Sequence, residues 1–154
     1  DYYLMVKSIA QGFDFSVGYR RQLLTFVYVK DLASAVFDAL ESGVRRKSYL
    51  LTDGKTYTQS EFRGIVKHLL GKRFVVPVKA PLWIVGIVCA IAERIAAAKG
   101  KASTLNRDKY KILRQRNWTC DITPAVNDFG YHPRYDLRQG LEETIRWYRD
   151  NGWL

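Results

Sequence analysis

The sequence is poor in the residues that usually carry chemistry: 154 residues hold two histidines and two cysteines. His68 and His132 stand far apart with no partner at metal-ligand spacing, which argues against a zinc site. Cys89 lies in an apolar run and Cys120 beside an aspartate, a usage that suits a reduced cytosolic protein better than a disulfide scaffold. Nothing near Cys89 would activate a thiolate, and no Gly-x-Ser-x-Gly elbow presents a serine nucleophile. No pair or trio of glycines has the spacing of a dinucleotide or phosphate loop, so the usual backbone cradle for a pyrophosphate is missing. Long apolar runs are missing too. The longest, Ala80 to Ala92, has 13 residues; at a rise of ~1.5 Å each it reaches roughly 20 Å, short of a ~30 Å hydrocarbon core. The first residues, Asp1 to Val6, carry no initiator Met, basic n-region or small-residue cleavage site, so the chain reads as a piece of something longer rather than one opening on a secretory signal.

What is present is a globular composition, 47% apolar and 14% aromatic, with no repeat, low-complexity segment or linker. One unit over residues 1–154 is expected. The net charge is +10 and uneven. Between Lys99 and Arg116 stand seven basic residues (Lys99, Lys101, Arg107, Lys109, Lys111, Arg114, Arg116) against the single acid Asp108. Such a cluster is either a solvated helix face or an attractor for nucleic acid, an anionic membrane surface or a phosphorylated substrate.

The stretch Leu23 to Leu40 organises the chain. Leu24, Phe26, Val27 and Val29 read as a strand, and from Asp31 the spacing of Leu32, Ala35, Val36, Ala39 and Leu40 reads as a helix. Asp31 is expected to be its N-cap. A strand apolar on both faces belongs in a buried parallel sheet, and the rest of the chain has few strands to build one. Before this stretch, Tyr3 to Gln11 reads as a helix closed by Gly12, and Phe13 to Tyr19 as a strand or hairpin arm. After it come a short strand at Ser48–Leu51, a capping box at Thr58–Glu61 opening a helix to Leu70, and an edge strand at Phe74–Val78 that contains Pro77. A helix from Pro81 to about Ala98 is apolar all round at its start, hence buried or lying at a membrane interface. Arg107–Arg116 reads as a further helix, Thr123–Pro124 as an N-cap and first residue of a small helix ending at Gly130, and Asp136 as the cap of the last helix.

Tyr3 and Lys7 have the Tyr-x-x-x-Lys spacing that sets a phenol and an ammonium one helical turn apart, but no strand or cofactor loop precedes them, so packing plus a solvated charge explains the pair.

Other motifs do carry a resemblance. Phe26-Val27-Tyr28-Val29-Lys30-Asp31-Leu32-Ala33 resembles the Phe-Val-His-Val-x-Asp-Val-Ala signature of the extended short-chain dehydrogenases, the NAD-dependent epimerase/dehydratase family. Ser48 to Gly54 followed by the Thr58 helix is similar to that family's next strand-and-helix unit. Asp121-Ile122-Thr123-Pro124-Ala125, Asp128-Phe129-Gly130-Tyr131-His132-Pro133, Leu137-Arg138-Gln139-Gly140-Leu141 and Trp147-Tyr148 are similar to its ending. The match runs from about residue 20 to the C-terminus.

The resemblance implies an α/β fold: the C-terminal part of a Rossmann-type enzyme, mainly helical with a few short strands, contributing the last sheet strands and most of the substrate-binding lobe. The dinucleotide-binding half, with its glycine-rich turn and catalytic Ser, Tyr and Lys, would be a separate, preceding part. No catalytic, cofactor-binding or metal-binding residue is therefore expected here. NAD or NADP would serve the full-length enzyme, and this chain alone would be inactive. Nucleotide-sugar enzymes of the family usually carry Arg-Asp before the signature aromatic, where Leu24-Thr25 stand here, and the signature histidine is Tyr28. With the apolar Pro81 helix, these departures make the chain resemble the 3β-hydroxysteroid dehydrogenase-like branch. The substrate is expected to be a sugar derivative or a more apolar alcohol or ketone, with Arg20, Arg21, Tyr28, Arg114 and Arg116 as candidate binding residues. A homo-oligomer is expected, cytoplasmic, with weak membrane association through residues 81–98 as an option. The alternative reading is a basic nucleic-acid-binding module stacking bases on Tyr110 and Trp118, or a peripheral membrane module; with the family match preferred, no nucleic-acid partner is expected.

Overall fold

The computed structural model describes residues 2–98 and 107–154. Lys99 and Lys101 of the basic cluster lie outside the described residues. Packing divides the chain into two compact units that interleave in sequence: unit 1 comprises residues 1–22 and 72–116, and unit 2 residues 23–71 and 117–154.

Unit 1 opens with helix α1 (Tyr2–Ala10), whose Val6 and Ile9 are buried. Gly12, at φ 93°, stops the helix in a conformation costly for any side chain and turns the chain into strand β1 (Phe13–Val17). β1 is no hairpin arm. It pairs in parallel with β4 (Val76–Ala80), in register from Phe13 opposite Val76 to Val17 opposite Ala80. Pro77 is tolerated because a two-stranded sheet consists only of edges. Helix α4 (Leu82–Ala98) follows, then α5 (Arg107–Arg114). Gly86 lets the two meet: a Cβ there would stand 3.3 Å from the Tyr110 ring. α4 is not buried all round. Cys89 is inside while Trp83, Ile87 and Ile91 are at least half exposed. No described helix is long and apolar enough to cross a membrane.

Unit 2 holds α2 (Val29–Glu41), α3 (Gln59–Leu69), α6 (Thr123–Phe129) and α7 (Leu137–Asp150), with a minimal antiparallel pair of β2 (Leu23–Leu24) and β3 (Tyr57–Thr58). The capping box forms at Thr58 and Glu61, and a second at Asp136 and Gln139. α3 packs on α7, burying Phe62 and Val66 with Leu137, Leu141 and Ile145, and Phe26 stacks on Phe62 at 5.2 Å between ring centroids. Tyr131 is buried with Ala35 and Ala125, and its hydroxyl donates to the Thr52 carbonyl at 3.0 Å.

Four expectations are corrected. The organising strand is laddered only at Leu23–Leu24, and α2 begins at Val29, two residues early. The pattern that asks for a parallel sheet finds no strands to complete one among the described residues; one bond, Asp53 N–H to the Phe26 carbonyl at 2.8 Å, joins the two extended segments. For the same reason Ser48–Leu51 is not a paired strand, and Leu50 is 61% exposed. Asp31 is not the N-cap. Tyr28 holds that position without its side chain capping the helix amides, and Asp31, in the first turn of α2, is buried with its carboxylate turned to a distant loop. Finally, α6 starts at Thr123 after Ile122, with the Asp121 carboxylate accepting the Thr123 N–H at 2.9 Å, so the capping acid lies two residues before the expected Thr123.

Candidate functional site: a basic cavity in unit 1

Arg20 lies two residues beyond Gly18, the glycine that follows β1, and Arg114 and Arg116 stand at and beyond the end of α5. These two chain segments close around a cavity of about 310 Å³. Gln22 ties them together by donating its side-chain amide to the Gln115 carbonyl. Val17, Leu82 and Leu113 supply apolar walls, and among the described residues no Asp or Glu lines the cavity. None of the three guanidiniums has an acidic partner among the described residues, so their charge is available to a ligand. Planar guanidiniums converging on one space suit a phosphate or carboxylate, which each can grip through two parallel hydrogen bonds.

Beside this cavity, and sharing Gly18, Arg20, Leu82 and Arg114 with it, lies a wider concavity of about 650 Å³ to which Tyr19, Trp83 and Tyr110 contribute aromatic surface. Gly18, at φ 74°, lines both. An anionic group held by the arginines would thus have apolar, flat surface next to it.

Of the five residues singled out from the sequence, the structure brings Arg20, Arg114 and Arg116 together. Arg21 is exposed and does not line the cavity. Tyr28 lies in unit 2, where its hydroxyl donates to Glu143 at 2.6 Å and its ring meets that of Tyr135 at 4.6 Å. Lys30 joins the same Glu143 oxygen at 2.6 Å, above both rings. Burial first and the Glu143 hydrogen bond second push the Tyr28 hydroxyl up to about 12, so it stays a donor. The sequence reading missed Gln22 in the cavity and Glu143 beside Tyr28. Gln22 could have been found from its place directly after the arginine pair; Glu143 is 115 residues from Tyr28 and left no local signal. Tyr3 and Lys7 do meet, Lys7 donating to the Tyr3 hydroxyl at 3.2 Å, as one turn of α1 dictates.

No protein-family model matches the chain. The uncharacterized protein y4nL of Sinorhizobium fredii (strain NBRC 101917 / NGR234) is 26% identical over 152 residues, 97% of this chain and 43% of its own length. UDP-glucuronate 4-epimerase 6 of Arabidopsis thaliana is 27% identical over 157 residues, 96% of this chain and 30% of its own. The crystal structure of DesIV, a dTDP-glucose 4,6-dehydratase from Streptomyces venezuelae with NAD and TYD bound, superposes with a TM-score of 0.69 at 21% identity, over 97% of this chain and 38% of that one. The fold is that of an epimerase/dehydratase C-terminal region. The named enzymes among these relatives belong to the NAD-dependent epimerase/dehydratase family of extended short-chain dehydrogenases. The chain spans less than half the length of the relatives it matches.

Proposed function

We propose that this chain is the substrate-binding part of an NAD(P)-dependent epimerase, dehydratase or hydroxy-dehydrogenase, and that the cavity of unit 1 holds the anionic group of its substrate. The observation that carries this reading is the convergence of Arg20, Arg114 and Arg116, without an acidic partner among the described residues, on one cavity of about 310 Å³. The arginine that nucleotide-sugar relatives resemble one another in carrying before the signature aromatic has no counterpart here: Leu24 is buried and the Thr25 hydroxyl donates to the Trp118 carbonyl. The charge for a phosphate comes instead from Arg20, Arg114 and Arg116. A sugar derivative bearing a phosphate or diphosphate fits that charge, and the Tyr19 and Tyr110 side of the adjoining concavity accepts the more apolar part of the molecule.

The cofactor belongs to the length of the relatives that this chain does not span. The outward residues of α2, with Val36, Phe37 and Leu40 more than half exposed, and the unladdered segments beside it are the surfaces for the dinucleotide-binding half to cover. Assembly with further copies belongs to the same proposal.

Titration calorimetry of the full-length enzyme with a nucleoside diphosphate tests the reading. Arg114→Ala and Arg116→Ala are each expected to weaken binding by roughly ten- to a hundredfold, the range for a lost hydrogen bond to a charged group, with cofactor binding unchanged. Unchanged diphosphate affinity in both variants would overturn it.

A further inference from the structure

Helix α4 carries its apolar residues on the outside. The face it packs inward is built of small or modest residues, Gly86 under the Tyr110 ring and buried Cys89 among them, whereas Trp83, Ile84, Ile87, Val88, Ile91 and Ile95 are between 38% and 66% exposed. With 3.6 residues per turn these six fall within an arc of roughly 140°, and Arg94 is the one charged residue sharing it. A helix facing water has the opposite arrangement.

A second observation points to what lies against this arc. The residues of unit 1 include fourteen Lys and Arg against four Asp and Glu, a net +10, while those of unit 2 include eleven of each sign and sum to zero. The whole net charge of the protein is therefore on the unit that exposes the apolar arc. A second copy docking through α4 would bring two such units together against their repulsion, whereas an anionic lipid surface complements both the charge and the apolar arc.

We propose that α4 docks this protein on an anionic membrane surface. The helix lies in the plane of the interface with its Trp83-to-Ile95 arc at the boundary of headgroups and acyl chains, and Arg94 reaches back along its own aliphatic stem to the lipid phosphates. Seventeen residues make a helix of about 26 Å, which suits lying on a bilayer and not crossing it. Trp83 takes the interfacial position that its amphipathic ring favours. The inference is independent of which substrate the arginine cavity holds.

Co-sedimentation of the full-length protein with vesicles of phosphatidylcholine, with and without phosphatidylglycerol, tests it. Binding is expected to require phosphatidylglycerol, to weaken as salt is raised, and to fall by roughly tenfold or more in the double variant Ile87→Glu, Ile91→Glu, whose substituted positions are already half exposed. In the unsubstituted protein, brominated lipids are expected to quench part of the tryptophan emission, and that part is expected to vanish in Trp83→Phe; this arm holds even if the double variant folds poorly. Absence of vesicle binding would overturn the proposal. So would binding that the glutamates leave intact, which is attraction by charge alone and would extend to any soluble polyanion. A double variant that turns an oligomer into a monomer without loss of lipid binding would assign the arc to a second copy.

Discussion

The carboxylate of Asp31, in the first turn of α2, accepts the backbone N–H of Tyr135 at 3.0 Å, and its other oxygen takes that of Arg134 at the same distance. The pair of bonds fastens the helix after the signature segment to the loop that delivers Asp136, the cap of α7. An N-cap aspartate tolerates an amide well, because one acceptor suffices. Here two donors face two acceptors in a buried site, and Asp31→Asn presents an NH₂ to one of them. It is expected to cost about 1 to 3 kcal/mol of stability, and Asp31→Ala at least as much, since both amides are then left without their partner. Turnover of the folded full-length enzyme is expected to stay within a few-fold of the parent. Denaturant melts beside steady-state rates check both; a neutral Asp31→Asn would contradict the two-amide role.

Gly140 is buried on α7 because Tyr28 lies over it: a Cβ there would come within 3.0 Å of the ring. The ring cannot swing away without losing Glu143 and Tyr135. Alanine is the better helix former by up to ~1 kcal/mol, yet overpacking typically costs about 1 to 3 kcal/mol. Gly140→Ala is thus expected to destabilise, and Gly140→Ala combined with Tyr28→Ala to recover part of the loss. A melting temperature raised by Gly140→Ala alone would refute this packing.

Unit 2 concentrates tyrosines that resist ionisation. Burial first, joined by hydrogen bonds to Glu143, Asp128 and Asp53 at Tyr28, Tyr49 and Tyr57, brings Tyr28, Tyr49 and Tyr131 to about 12 each and raises Tyr57 as well. An unfolded tyrosine ionises near ~10. A group raised in the native state stabilises it fully below the unfolded value and ceases to as the pH climbs through the native one. Stability is therefore expected to hold up to about pH 10 and to fall steeply between roughly 10 and 12, with tyrosinate absorbance rising together with loss of the circular dichroism signal. At the acid end, Glu143 is held low, by Lys30 first and Tyr28 second, so its contribution is present above ~4.3 and is lost as the pH falls through its depressed native value. Tyrosinate absorbance that reached its full amplitude near pH 10 in folded protein would contradict this.

The local parts of this fold were legible in the sequence. Thr58 and Glu61 cap as their three-residue spacing demands, Asp136 does the same with Gln139, and Gly12 and Gly130 end helices in positive-φ conformations. Pairings across the chain were not. The parallel match of Phe13–Val17 with Val76–Ala80 joins segments some sixty residues apart, and nothing in either names the other. Asp31 was misread for a related reason: an acid at the start of a helix looks the same whether it serves its own amides or those of residues 134 and 135. In the site, the basic surplus around Arg114 and Arg116 was visible as composition, but its meeting with Arg20 and Gln22 depends on the fold of unit 1.

A crystal structure of the full-length enzyme with a nucleoside diphosphate bound tests the central claim most directly. The account predicts phosphate oxygens within about 3 Å of at least two of the guanidiniums of Arg20, Arg114 and Arg116, inside the cavity walled by Val17, Leu82 and Leu113. A diphosphate bound elsewhere on the enzyme, with all three arginines turned to solvent, would contradict it.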